Sequence, residues 1–286
     1  MSFFNPGLIK SLPSLASAIR ALLITFISLI SLNAYSTLGT SEQSSLLTIH
    51  SMGEAINMAG RQRMLSQRIA QSYFLKGLKP DSARSDEQLQ RAIKEFDRNL
   101  VSLKNFPAAK PLHQQALRVE ALWLPYKQLA QGEVNKDSGT ILLEQSNILL
   151  KEANEYVSQL EKLSATQKAE IINLSGRQRM LSQRIAKNFL AAQWGINTEN
   201  ATALLYEDLA EYENVLTYLS ESTLNTPKIR TQLQKVTGQF KYALKGFDGA
   251  MSLSGKRLVH VVTGTTDAML RGMNIVTGQY AELLSE

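Results

Sequence analysis

The sequence predicts an all-α protein: tandem antiparallel four-helix-bundle units that follow an N-terminal apolar segment. Three observations carry this. Among 286 residues, 16 Gly and 7 Pro fall mostly in short clusters, leaving long stretches free of helix breakers. No stretch alternates apolar and polar residues with period two for long enough to suggest a sheet. A 17-residue sequence, Glu54 to Ala70, returns as Glu170 to Ala186 with 14 identities, an offset of 116 residues.

The N-terminal element comes first. Lys10 and Arg20 precede an apolar run from Ala21 to Leu32, and no acidic residue occurs before Glu42. Counted to Leu38, the run is long enough to cross a bilayer. As an uncleaved anchor spanning residues 1–39, it would hold Lys10 and Arg20 on the cytoplasmic side of the cell membrane and place 40–286 in the periplasm or outside. As a signal peptide it would be cut near Ala34-Tyr35-Ser36, a mediocre small-x-small site, and 40–286 would be released to the periplasm. The poor cleavage site favours the anchor. The only later apolar-looking stretch, Leu258 to Val276, is interrupted by Thr263 to Asp267 and by Arg271, so it reads as a soluble helix.

Helices then read at about 42–78, 86–105, 110–132, 139–195, 199–221, 227–248 and 254–284. The breaks fall at Gly77 to Pro80, Phe106-Pro107, Gly132 to Gly139, Gly195 to Asn197, Thr226-Pro227 and Gly246 to Gly255. No Gly or Pro interrupts 140–175, so the last helix of the first repeat is expected to run directly into the first helix of the second. The repeats divide the chain into 40–155 and 156–286, each supplying four helices with one apolar stripe. With the 116-residue offset kept, weaker matches continue without a gap: Glu95-Phe96 with Glu211-Tyr212, Leu117 with Leu233, Tyr126 with Tyr242, and Gly139 with Gly255.

Composition removes most function classes. Without Cys there is no disulfide, thiolate metal site or cysteine nucleophile. His50, His113 and His260 are not spaced to ligate one metal from a single helix. No dinucleotide, Walker A or nucleophile-elbow motif occurs, and no nucleophile–base pair is visible, so no enzyme, metal or cofactor is implied. The net charge of +6 falls to +4 beyond residue 40, too mild a field for a nucleic-acid partner.

The repeated helix holds the chemistry. At 100° per residue, Met58, Leu65 and Ile69 form a core stripe, while Ile56, Gly60, Arg63 and Gln67 lie roughly opposite. A mid-helix Gly costs about 1 kcal/mol relative to Ala, but it lets another backbone or a ligand approach closely. Arg presents a planar, permanently charged fork suited to oxyanions. Gly60 with Arg63, and Gly176 with Arg179, thus describe a close helix contact with guanidinium groups aimed at one spot, where a planar anion such as nitrate fits. The plainer alternative is packing for the glycines and surface pairing for the arginines. Near-identity in two drifting repeats argues against it, because packing alone tolerates volume-conserving swaps. Arg61 and Arg68, with Arg177 and Arg184, are expected to pair with helix neighbours or solvent. Glu54 and Glu170 are read as structural salt bridges, and Trp123, Tyr126, Trp194 and Tyr242 as core or interface anchors.

The segment Ile56 to Arg68 resembles the N-terminal sensory domain of type IV pili methyl-accepting chemotaxis transducers, the PilJ domain. It is also similar to the periplasmic P-box of the nitrate/nitrite sensor kinases NarX and NarQ. That resemblance implies a nitrate or nitrite site lined by Gly60, Arg63, Gly176 and Arg179, with Asn57 and Asn173 matching the P-box Asn. With two motif copies, the paired-arginine site is expected either within one chain or between like copies in a homodimer. The N-terminal segment supplies membrane attachment, and without the second spanning helix and output modules of those relatives the chain is expected to act through a separate signalling protein. The other reading is a structural protein that uses the repeated helix face for dimerisation or partner contact, without a small ligand.

Overall fold

The first helix, α1 (Met52–Leu78), opens with a reciprocal cap. The Glu54 N–H donates to Ser51 Oγ at 3.1 Å, and the His50 N–H donates to Glu54 Oε2 at 2.8 Å. Donors that a helix start leaves free are thereby satisfied, so Glu54 acts as a cap and not as the expected ion-pair partner. Next come α2 (Ala83–Lys104), a 3-10 turn (Pro107–Leu112), α3 (His113–Gln131) and α4 (Lys136–Ser164). The second repeat supplies α5 (Gln167–Gln193), α6 (Ala201–Glu221), α7 (Pro227–Ala250) and α8 (Gly255–Ser285). This computed structural model describes residues 47–78, 83–196, 199, 201–250 and 255–285. The candidate anchor lies outside the described residues; among those described, no helix is long and apolar enough to cross a membrane.

The fold is all-α, with no strand among the described residues. Helices α1 and α5 lie against each other at its centre. Around them, α2 and α4 pack on α1 while α6 and α8 pack on α5; α3 covers α4 and α7 covers α8. Exchanging the repeats leaves this pattern of neighbours unchanged, so the two halves are related by a local two-fold and share one core. Burial follows from that placement. Along α1, Ile56, Gly60, Arg63 and Gln67 are as buried as Leu65 and Ile69, because partners cover both faces.

Two expectations are corrected. The continuous helix over 139–195 is broken at Ala165, which takes a left-handed conformation (φ 51°, ψ 34°) and ends α4 with its N–H on Glu161 O. Thr166 then caps α5 by accepting from the Ala169 N–H. The offset of 116 also fails in one place. It superposes the buried positions of α2 on α6 and of α4 on α8. In α3, however, Ala116, Val119, Trp123 and Tyr126 correspond to Leu233, Val236, Phe240 and Ala243, an offset of 117. One extra residue before α7 rotates that helix, so Trp123 stacks on Phe96 where Phe240 stacks on Tyr212. Tyr126 is consequently buried and donates to Ser66 O at 2.6 Å, while Tyr242 is 78% exposed and anchors nothing in the core. Trp194 is partly buried against Tyr73 and Phe74 at the end of α5.

Candidate functional site

Helices α1 and α5 cross at Gly60 and Gly176. A Cβ on either glycine would stand 4.0 Å from the other's Cα, so the absent side chains are what permit the approach. Three residues on, one turn further along each helix, Arg63 and Arg179 fold back over the crossing. The position a Cβ would take on Gly60 lies 3.1 Å from Arg179 Nη2 and 3.5 Å from Arg63 Nη2; for Gly176 both distances are 3.2 Å. The two guanidinium groups therefore converge on one point within a single chain.

Each arginine reaches across to the opposite helix. Arg63 Nη2 donates to Asn173 O at 3.0 Å, and Arg179 Nη2 donates to Asn57 O at 3.0 Å. The second donors differ. Arg63 Nη1 bonds Asn154 Oδ1 on α4 at 2.8 Å, whereas Arg179 Nη1 bonds Asn57 Oδ1 at 2.8 Å. Asn173 turns its own amide away, donating to Glu161 Oε2. All six residues singled out in the sequence thus meet here. Asn154 and Glu161 also take part, and the repeat gave no sign of them because their counterparts are Leu270 and Thr277.

The electrostatics are unusual. Arg63 and Arg179 are each only 1% exposed, neither has a carboxylate in ion-pair contact among the described residues, and each buries its Nε without a partner. Burial pushes Arg63 down to about 9; repulsion from Arg177 adds to this and attraction from Glu161 opposes it. Arg179 is lowered well below the ordinary arginine value, first by burial and then by Arg61 and Arg63, with Glu95 opposing. Guanidinium groups keep their charge in proteins, and a buried charge is costly unless paired.

The remaining motif residues bind the helices to their neighbours. Arg61 pairs with Glu95 at 2.6 Å and Arg177 with Glu211. Arg68 pairs with Asp267 at 3.0 Å, and Arg184 with Asp208 and Glu211. Glu170 has no ion pair among the described residues and meets the Tyr218 hydroxyl at 3.5 Å. Lys187, just beyond the repeated motif and without a sequence signal of its own, is fully buried and donates to Ser146 Oγ at 3.1 Å and Asn147 Oδ1 at 2.6 Å. No group of three His, Asp or Glu suited to a metal occurs among the described residues.

Together these features define an all-helical domain in which two copies of one arginine-bearing helix cross at paired glycines. Residues 47–156 and 163–261 each match the family described as "Type IV pili methyl-accepting chemotaxis transducer N-term" (PilJ), and the chain belongs to that family. The two matched segments fall on the two repeats. Neither a curated protein nor a solved structure matches the chain.

Proposed function

We propose that the chain is a sensory-type module that binds a small oxyanion, nitrate or nitrite, between Arg63 and Arg179 and passes that state to a separate signalling partner. The observation that supports this is the pair of buried guanidinium groups at one crossing, each with an unpartnered Nε and no carboxylate in ion-pair contact among the described residues. A planar monoanion would supply acceptors for those donors and relieve the repulsion between the two cations. The missing side chains of Gly60 and Gly176 let both guanidinium groups reach the crossing, and half-buried Asn57 and Asn173 lie beside it. With both motif copies in one chain, the site needs no second protomer. An anchor over residues 1–39 would hold the module on the outer side of the cell membrane, next to a membrane-bound partner.

Calorimetric titration of the full chain with nitrate, nitrite, sulfate and chloride tests this. Charge-assisted hydrogen bonds contribute roughly 1.5–3 kcal/mol each, so Arg63→Ala or Arg179→Ala should weaken nitrate binding about tenfold or more. Lys at either position should rescue poorly, because it loses the planar fork. Arg61→Ala should have little effect. A shared site predicts that the double variant loses little more than either single one. Unchanged affinity in folded single variants would sink the proposal. One observation favours a second reading, in which the motif only pairs the two helices: both arginines already tie the opposite backbone at Asn173 and Asn57.

A further inference from the structure

On another side of α1, away from the Arg63–Arg179 crossing, α1, α2 and α8 enclose a groove of about 390 Å³. Arg61, Arg68, Arg84, Arg91 and Arg271 line it against two carboxylates, Glu95 and Asp267. Two of these cations are held on the floor. Arg61 pairs with Glu95 at 2.6 Å, and Arg68 Nη1 donates to Asp267 Oδ1 at 3.0 Å and to Gln183 Oε1 at 2.9 Å. The other three form the rim and are weakly engaged. Arg84 is 79% exposed and 3.9 Å from Asp267; Arg91 meets only the exposed Glu87; Arg271 is exposed and has no ion pair among the described residues. Exposed pairs of this kind contribute little, so the rim cations remain available.

The local two-fold provides a control. Arg61 and Arg68 are repeated as Arg177 and Arg184, but Arg84, Arg91 and Arg271 align with Asn200, Glu207 and Glu155, and Asp267 aligns with Lys151. On that side Arg184 is engaged by Asp208 and Glu211. The same helix surface therefore folds with the opposite charge balance, and nothing in the architecture requires cations around the first groove.

We propose that this groove is a second binding site, for a small organic polycarboxylate that bridges Arg84 and Arg91 on α2 to Arg271 on α8. Ligand sites commonly measure about 300–1,000 Å³, so the groove suits a molecule of several carbons, and nitrate would leave most of it empty. An excess of three positive charges matches a di- or tricarboxylate, and each guanidinium can engage one carboxylate through two parallel hydrogen bonds. Because α2 and α8 come from different repeats, such a ligand would clamp the two halves together. The site does not depend on an anion at Arg63 and Arg179.

The test is calorimetric titration of the full-length chain in detergent with citrate, succinate and inorganic phosphate. Citrate and succinate should bind saturably and more tightly than phosphate, with an affinity that falls as salt rises. Arg84→Ser and Arg271→Ser should each weaken citrate binding about tenfold, while Arg63→Ala and added nitrate should leave it unchanged. The inference is overturned if neither carboxylate binds at millimolar concentration or if phosphate binds as well as citrate. It is equally overturned if citrate binding survives Arg84→Glu combined with Arg271→Glu in protein whose helical circular dichroism is intact.

Discussion

Helices α1 and α5 carry the same eleven residues, Gly60 to Ala70 and Gly176 to Ala186, in different company. Some bonds repeat: Arg63 and Arg179 each donate to a backbone carbonyl of the opposite helix, and each helix makes the same bonds to itself and to α2 or α6. Gln62 Nε2 donates to Phe96 O at 3.2 Å, and Gln178 Nε2 donates to Tyr212 O at 2.6 Å. Ser66 and Ser182 each return a hydroxyl to the carbonyl three residues back, both at 2.8 Å. What differs is supplied in part by α4 and α8. Arg63 finds Asn154 on α4, but α8 offers Arg179 only Leu270 at the related position. Gln71 is buried in α1 where α5 buries Lys187. Duplication preserved the central pair, and drift in the surrounding helices gave each copy its own electrostatics. The near-identity of the motif thus has a structural share, because each copy needs the same bonds, as well as the ligand share proposed above.

Four substitutions bear on that comparison. The largest effect is expected at the crossing, where the two copies should be equivalent. Gly60→Leu and Gly176→Leu both force bulk against a facing backbone and a buried guanidinium. Overpacking of this kind should cost about 3 kcal/mol, read as a matching drop in denaturation midpoint for both variants. Clearly unequal losses would break the two-fold reading.

The next effect belongs to one copy only. Burial, with repulsion from Arg184, lowers Lys187 from 10.5 to about 7, opposed by Asp208. Its folded value lies below its unfolded one, so between about pH 7 and 10.5 the unfolded chain binds a proton that the folded chain does not. Stability from this group therefore rises with pH through that window and is flat below it. Lys187→Gln, which copies Gln71, should remove that rise and raise the melting temperature near neutral pH by about 3 °C or more. Thermal melts across pH 6–10 would show it; an unchanged slope would mean that Lys187 keeps its charge through local solvation.

The smallest effect sharpens how the second copy begins. Ala165 is the non-glycine residue with positive φ among the described residues, a conformation that costs an L-residue roughly 1–2 kcal/mol. Ala165→Gly should stabilise the protein by about 0.5–1 kcal/mol by relieving it, and a loss of stability in the melt would show that the side chain is held by other contacts.

The repeat itself places a helix break near Ala165. Helix α1 starts at Met52, so a second start near residue 168 follows from the offset, although the absence of Gly and Pro there points to continuity. A left-handed alanine and a Thr166 cap terminate a helix without either breaker. The slip in α7 was hidden for a related reason: matching Tyr126 to Tyr242 by letter gave a plausible pair, and only burial showed which side of the helix each occupies.

The helical class, the duplication, most of the helix boundaries and the identity of the residues that meet at the centre were legible in the order of the residues alone. Those follow from local periodicity, breakers and caps, and from a motif repeated in full, all of which act over a few turns. It takes the folded molecule to show that α1 and α5 are each other's partners, that Arg63 and Arg179 face one point inside a single chain, that Asn154 attends one arginine while the other turns to Asn57, and that cations gather in one groove and not its twin. These depend on which side chains from distant segments share a desolvated space, and burial and charge balance there are sums over neighbours that no single stretch of the chain contains.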